Sequence, residues 1–209
     1  MEIVKNVSDS KNTVEIQGRS IDVPNYRMMF YKTEWLKIYT PIVELAKIQI
    51  RMNFIKKQID IRTCDLTEDT SFLNRTEQFL KAINLGFSIE DSLSILKFAD
   101  VFLDNFNIHE VKILKNLHIE RAIGRMIGRD GKTKTTIESL SRCKSLIKDA
   151  NIFLLGPIEN TRIAKDSYCR LIMGSQPGTI YNRLRNIRTK IKDTCGSIQT
   201  IYNELEKKQ

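Results

Sequence analysis

Residues 121–138, RAIGRMIGRDGKTKTTIE, gather three glycines, five basic side chains and the tripeptide Gly-Lys-Thr. Such a stretch can hold phosphate in two ways. It can curl backbone amides around a nucleotide, or it can press a bare turn and its cations against a nucleic-acid backbone. The first needs glycine, four residues and then Gly-Lys-Thr, because that length wraps the amides around the β-phosphate. Here Met126 occupies the place of the leading glycine. A nucleotide loop must also leave a buried strand, yet Ile119, Ile123 and Met126/Ile127 share one helical face and Arg121 and Arg125 another. A nucleotide-dependent enzyme therefore lacks its motif.

What remains is a helix, the turn Ile127-Gly128-Arg129-Asp130-Gly131, and a second helix. Two glycines three apart let the chain turn tightly and approach another molecule, since neither has a Cβ. Gly128 and Gly131 would make that approach. Arg129, Lys132, Thr133 and Lys134 would contact phosphates, with Arg121 and Arg125 extending the basic track along the first helix. Asp130 sets a negative charge among them. Ile123, Ile127, Ile137 and Ile147 would floor a groove for unpaired nucleotides. Aromatic residues are scarce near the turn, which favours recognition by shape and backbone over base stacking.

The elements that must position this turn follow from hydrophobic period. A strand over 19–23 ends at Pro24, and a second is expected near Tyr26–Phe30. Trp35, Ile38, Tyr39, Ile42 and Ala46 predict a helix that Pro41 starts or kinks. Period-two alternation from Ile48 to Ile61 predicts a β-hairpin, turning at 55–57. Helices follow over 72–83, ended by Gly86, and over 89–96, opened by Ser88 and Asp91 as a capping box. The second half reads as a strand over 107–114, the glycine turn between helices, a hairpin around Asp149 and Ala150, and a helix from Pro157 to Gly174. A last helix over 179–192 shows Ile180, Leu184, Ile187 and Ile191 inward and Arg183, Arg185, Arg188, Lys190 and Lys192 elsewhere, with a short helical piece after Gly196. The fold class is α/β (α+β), and the halves share a hairpin-plus-helix plan roughly 90 residues apart. Four segments result: an N-terminal tail over 1–18, a degenerate module over 19–105, a complete one over 106–176, and a C-terminal helical extension over 177–209.

Charge separates the halves. Residues 1–105 hold 14 Lys/Arg against 15 Asp/Glu, whereas 106–209 hold 20 against 10. The net +9 of the chain thus belongs to its second half, which should attract a polyanion. No leader or membrane span is expected, since no apolar run approaches the required length. Cys64, Cys143, Cys169 and Cys195 are far apart, without a CxxC pair, and read as buried free thiols in a reducing compartment. His109 and His118 have no nucleophile partner in sequence, so neither a catalytic residue nor a metal nor a cofactor is expected.

Strand, helix, GxxG, helix, hairpin and helix is the order of the RNA-binding KH module, β-α-α-β-β-α. The chain further resembles the partner-of-Nob-one family through KIYTPIVE, IRTC, RAIGRMIGRDGKTKTTIE and IMGSQPGTIYNRLR, over residues 20–192. Lys134 stands where ordinary KH modules place an aliphatic residue and suits that family. The resemblance implies two tandem KH-type modules, the first without GxxG. It implies an assembly factor of the small ribosomal subunit whose second module clamps single-stranded precursor rRNA near the 3′ end. Its expected partners are that RNA, the Nob-one-type endonuclease and proteins of the precursor particle, with no membrane. Its expected location is the nucleolus and nucleus, with shuttling to the cytoplasm, or the cytoplasm in a source without a nucleus. The alternative is a general KH protein of messenger RNA.

Overall fold

The hairpin that period-two alternation predicts is present as β2 (Ile48–Asn53) and β3 (Gln58–Thr63). Asn53 shapes its turn, its Oδ1 accepting from the amides of Ile55 and Lys56 at 3.2 and 3.1 Å. A third strand, β1 (Gly18–Asp22), pairs antiparallel with β3, giving the order β1-β3-β2. Ile21, Ile48, Ile59 and Ile61 are thereby buried in one core with Phe79, Leu80 and Ile83. These coordinates are a computed structural model that describes residues 17–64, 67, 69 and 71–206, and side chains along the last helix as far as Ile191. Most of the tail read at 1–18 lies outside the described residues. The chain divides into two compact units, Met1–Lys97 and Phe98–Gln209.

In the first unit the strand expected near Tyr26–Phe30 is helical. Pro24 (φ −59°) turns the chain into a short 3-10 turn, Asn25–Arg27, which runs straight into α1 (Met28–Pro41). Helical spacing, which buries Tyr31, Ile38 and Ile42 together, prevails over the strand propensity of the apolar run. α1 is interrupted at Glu34 (φ −103°, ψ 17°), not at Pro41. Pro41, lacking an N–H, instead ends the α-helix, and a wider π turn covers Ile42–Ala46. One irregular helix thus stands where a KH module carries two. Helices α2 (Ser71–Leu85) and α3 (Ile89–Lys97) complete the unit. Ser88 Oγ accepts the Asp91 amide at 3.0 Å, as its capping position predicts. A polar link ties the layers: Tyr31 donates to Asn84 Oδ1 at 2.8 Å, and Asn84 Nδ2 donates to the Asp22 carbonyl at 3.0 Å.

The second unit repeats the topology. Its strands β4 (Val101–Asn107), β5 (Lys144–Lys148) and β6 (Asn151–Pro157) lie antiparallel in the order β4-β6-β5. The strand expected over 107–114 is displaced. Asn107 ends β4 and its side chain caps a single helical turn, α4 (Ile108–Val111), accepting the His109 amide at 2.9 Å. The border read at 105/106 therefore falls inside β4, and the division lies after Lys97. Next come α5 (Asn116–Ile127), a 3-10 turn over Arg129–Gly131, and α6 (Lys132–Ser141). Asp149 (φ 53°) and Ala150 make the two-residue hairpin turn. α7 (Ile158–Met173) buries Ala164, Ser167, Tyr168, Leu171 and Ile172, and Gly174 (φ 111°) closes it.

The last helix is longer than the sequence reading. α8 runs unbroken from Pro177 to Glu206, through Gly196, and packs on α6 and α7. Its docking face is shorter than expected: Ile180 and Leu184 are buried, Ile187 is half-buried, and Ile191 is 47% exposed. Leu184→Ala should therefore lower unfolding free energy by about 2–4 kcal/mol, as for other buried leucines. Ile191→Ala should stay within about 0.5 kcal/mol of the parent. Urea melts of the two variants check this, and equal losses would refute the packing.

Candidate nucleic-acid interface

The glycine turn is held by three residues with positive φ. α5 ends on the Gly128 amide donating to the Gly124 carbonyl at 2.8 Å. Gly128 itself has φ 74° and ψ 177°, a region essentially closed to side chains. Its missing Cβ is also a packing requirement, since one built there would lie 2.2 Å from Thr133 Oγ1 and 2.8 Å from Thr133 Cβ. Asp130 (φ 55°, ψ 30°) and Gly131 (φ 71°, ψ 7°) follow in the left-handed region. Aspartate is one of the few residues that enters it readily, which accounts for a carboxylate in this loop. Nothing lies within 4 Å of a Cβ built on Gly131. The two glycines thus differ: Gly128 serves the protein's own packing, and Gly131 presents bare backbone outward.

The residues read as contacts sort accordingly. Arg129 and Lys132 are exposed, with no acidic partner among the described residues, and they flank Gly131 at the start of α6. The amino end of a helix favours an anion, and no side chain caps this one. Asp130 is exposed beside them. Thr133, read as a contact, is instead buried beneath Gly128. Lys134 is half-buried, 3.8 Å from Glu138 Oε1. Of the proposed floor, Ile137 belongs to the core, Ile123 and Ile147 are half-buried against it, and Ile127 is 37% exposed.

Arg121 and Arg125 lie away from the proposed floor. At about 100° per residue they lie nearly opposite Ile123 and Ile127 around α5. A guanidinium nitrogen of Arg125 lies 3.3 Å from where a Cβ on Gly174 would be, at the end of α7. Both arginines line a groove with Lys112, His118, Ile172 and Met173.

A network not foreseen from sequence secures α6 to β5. Glu138 Oε1 accepts from the amide and the hydroxyl of Ser145, each at 2.8 Å, and Ser145 Oγ lies 2.6 Å from the Tyr168 hydroxyl. Burial raises the Tyr168 hydroxyl above its ordinary pKa, and the Ser145 bond partly offsets this. The one sequence signal was a serine two residues before Ile147, on the inward face of β5. Cys143, buried beside this network against Gly156, has its thiol pushed up to about 12 by desolvation. Cys64 and Cys169 are free and half-buried, so the expectation of buried thiols holds fully only for Cys143 among the described side chains. Met126, where a nucleotide loop would need glycine, is fully buried within α5.

Residues 105–189 match the family model of the eukaryotic type KH-domain, KH-domain type I, second copy in PNO1. The pre-rRNA-processing protein PNO1 of Coccidioides immitis is 40% identical over 187 residues, 90% of this chain and 73% of that protein. This chain belongs to the PNO1 family. The RNA-binding protein pno1 of Dictyostelium discoideum is likewise 40% identical, over 88% of this chain and 77% of that protein. Two solved structures share the fold. One is a protein of unknown function from Aeropyrum pernix, with TM-score 0.75 and 20% identity over 91% of this chain and all of that one. The other is a chain of an a/eIF2alpha–aDim2p–rRNA complex from Pyrococcus horikoshii, with TM-score 0.72 and 22% identity over 87% of this chain and 99% of that one. The chain thus has the KH-type fold that its sequence implied.

The asymmetry of the glycines has a direct test. Gly128→Ala should destabilise the protein by about 3 kcal/mol, combining overpacking with backbone strain. Gly131→Ala should cost only about 1 kcal/mol, the left-handed strain alone. Denaturant melts of both should show this gap, and equal costs would contradict it. Asp130→Asn retains a residue that accepts the left-handed backbone and deletes the charge. At about 6 Å through water that charge opposes a phosphate by about 0.7 kcal/mol. Affinity for single-stranded RNA, read by fluorescence anisotropy, should therefore rise about threefold with an unchanged melt.

Proposed function

We propose that this protein is an RNA-binding factor in the maturation of the small ribosomal subunit. In this reading its second unit clamps single-stranded precursor rRNA near the 3′ end through the turn at Gly128–Gly131. The observation that carries it is Gly131, held left-handed with open space above it, between Arg129 and Lys132, which are exposed and have no acidic partner among the described residues. A phosphate can approach the backbone there as closely as van der Waals radii allow, with two cations within reach. The excess charge of the second half supplies the longer-range attraction.

The family and the KH-type fold support RNA binding and pre-rRNA processing. The first unit carries the same sheet order without a glycine turn and with balanced charge, which suits a scaffold. Its partners in this reading are the maturation endonuclease and proteins of the precursor particle, met in the nucleolus and nucleus. The protein would act by binding and positioning, without catalysis of its own.

The clamp is separable from general basic attraction. Arg129→Ala with Lys132→Ala removes about two phosphate contacts, so the salt dependence of single-stranded RNA binding should flatten by about 0.7 per contact. At roughly 0.15 M salt that amounts to an affinity loss of about tenfold. Gly131→Asp keeps both cations and a residue that tolerates the left-handed backbone, but puts a side chain and a charge where phosphate must approach. It should cost at least as much affinity as the double alanine, with the melt preserved. A loss only half that of the double alanine would mean that binding tracks net charge, and would sink the clamp.

A further inference from the structure

Arg121 and Arg125 raise a separate question, because they stand on the side of α5 away from Ile123 and Ile127. The groove they line, about 630 Å³ in volume, lies between α5 and the C-terminal end of α7. Lys112 and His118 complete its basic lining, and all four side chains are exposed. No carboxylate lines it, and neither arginine has an acidic partner among the described residues. Its remaining wall is apolar, with Ile172 buried and Met173 58% exposed.

Three like charges, those of Lys112, Arg121 and Arg125, repel one another around one concavity, and such an arrangement loses that penalty only when an anion enters. Ile172 and Met173 give the concavity an apolar side suited to the face of an unstacked base or a ribose, while the cations suit its phosphates. The groove also connects to the clamp. Gly124 lies on α5 between the two sides, and nothing stands within 4 Å of where its Cβ would be. A strand leaving the glycine turn can cross α5 there over low, bare backbone.

We propose that the α5–α7 groove is a second RNA site of this protein, taking the sugar-phosphate backbone of the segment adjoining the one held at Gly128–Gly131. The proposal rests on the RNA-binding reading above, and it assigns Arg121 and Arg125 to this site and not to the clamp.

RNA length separates the two sites. A KH groove holds four nucleotides, so a single strand of about five fills the clamp alone and one of about twenty reaches both. R121A/R125A should leave the short strand's affinity unchanged. It should weaken the long strand about tenfold at roughly 0.15 M salt and flatten its salt slope by about 1.4. K112A/H118A, built away from the end of α7, should weaken the long strand in the same selective way. R142A/R162A, which removes equal charge elsewhere on the unit, should have a much smaller effect. A thiouridine-substituted long strand should crosslink under ultraviolet light to the peptide containing Met173, and the short strand should not. Gly131→Asp provides the distinction from the clamp, since it should weaken both lengths. If Gly131→Asp weakens both while R121A/R125A and K112A/H118A weaken neither, the clamp stands and the second site is overturned. Losses matched by R142A/R162A would reduce the groove to net charge and also overturn it. Unchanged RNA binding, with poly-glutamate captured by the parent and released by R121A/R125A, would reassign the groove to an acidic peptide.

Discussion

The glycine turn stands on an atom that is missing. At Gly128 the volume of a Cβ is already filled by the Thr133 side chain, so the turn folds directly onto the first residues of α6. That contact fixes where α6 begins. It brings Asp130 and Gly131 into consecutive left-handed conformations and leaves the backbone of Gly131 uncovered. A side chain at position 128 would push the turn off the helix, and the placement of Arg129 and Lys132 would change with it. Two glycines with one spacing thus do unlike things, one facing inward to the protein and the other outward into open space.

Comparison of the two units shows what the turn adds to the topology. Both build a three-stranded antiparallel sheet in the same order, with helices packed over it. Between its first two strands the first unit has one irregular helix, interrupted at Glu34 and unwound after Pro41. The second has α5 and α6 joined by the glycine turn. Sheet and core tolerate either arrangement, because burial of Ile59 and Ile61 in one unit and of Ile152 and Leu154 in the other depends on strand alternation alone. The glycine turn is a local insertion on a common frame.

Legibility in the sequence followed the range of the forces involved. Both hairpins could be read because alternation is local, and α2 and α7 because their inward residues recur at helical spacing. β4 was misplaced because Asp104, Asn105 and Asn107 make three of its seven residues poor strand formers, leaving cross-strand pairing with β6 to decide. Spacing placed Arg121 and Arg125 on one face of α5 but was silent on what faced them, which is the end of α7, distant in sequence. Thr133 looked like a contact because it sits in the motif, and only the turn's geometry buries it. The Glu138–Ser145–Tyr168 network was invisible for the same reason, since its members come together only when α6, β5 and α7 pack.

That network bears on how a strand is received. With the Glu138 carboxylate fixed by two donors from Ser145, and Ser145 held in turn by a tyrosine in the core, α6 and β5 are joined as one rigid piece. A surface built on such a joint has already met its ordering entropy during folding, so in the proposed encounter a flexible partner alone would lose freedom.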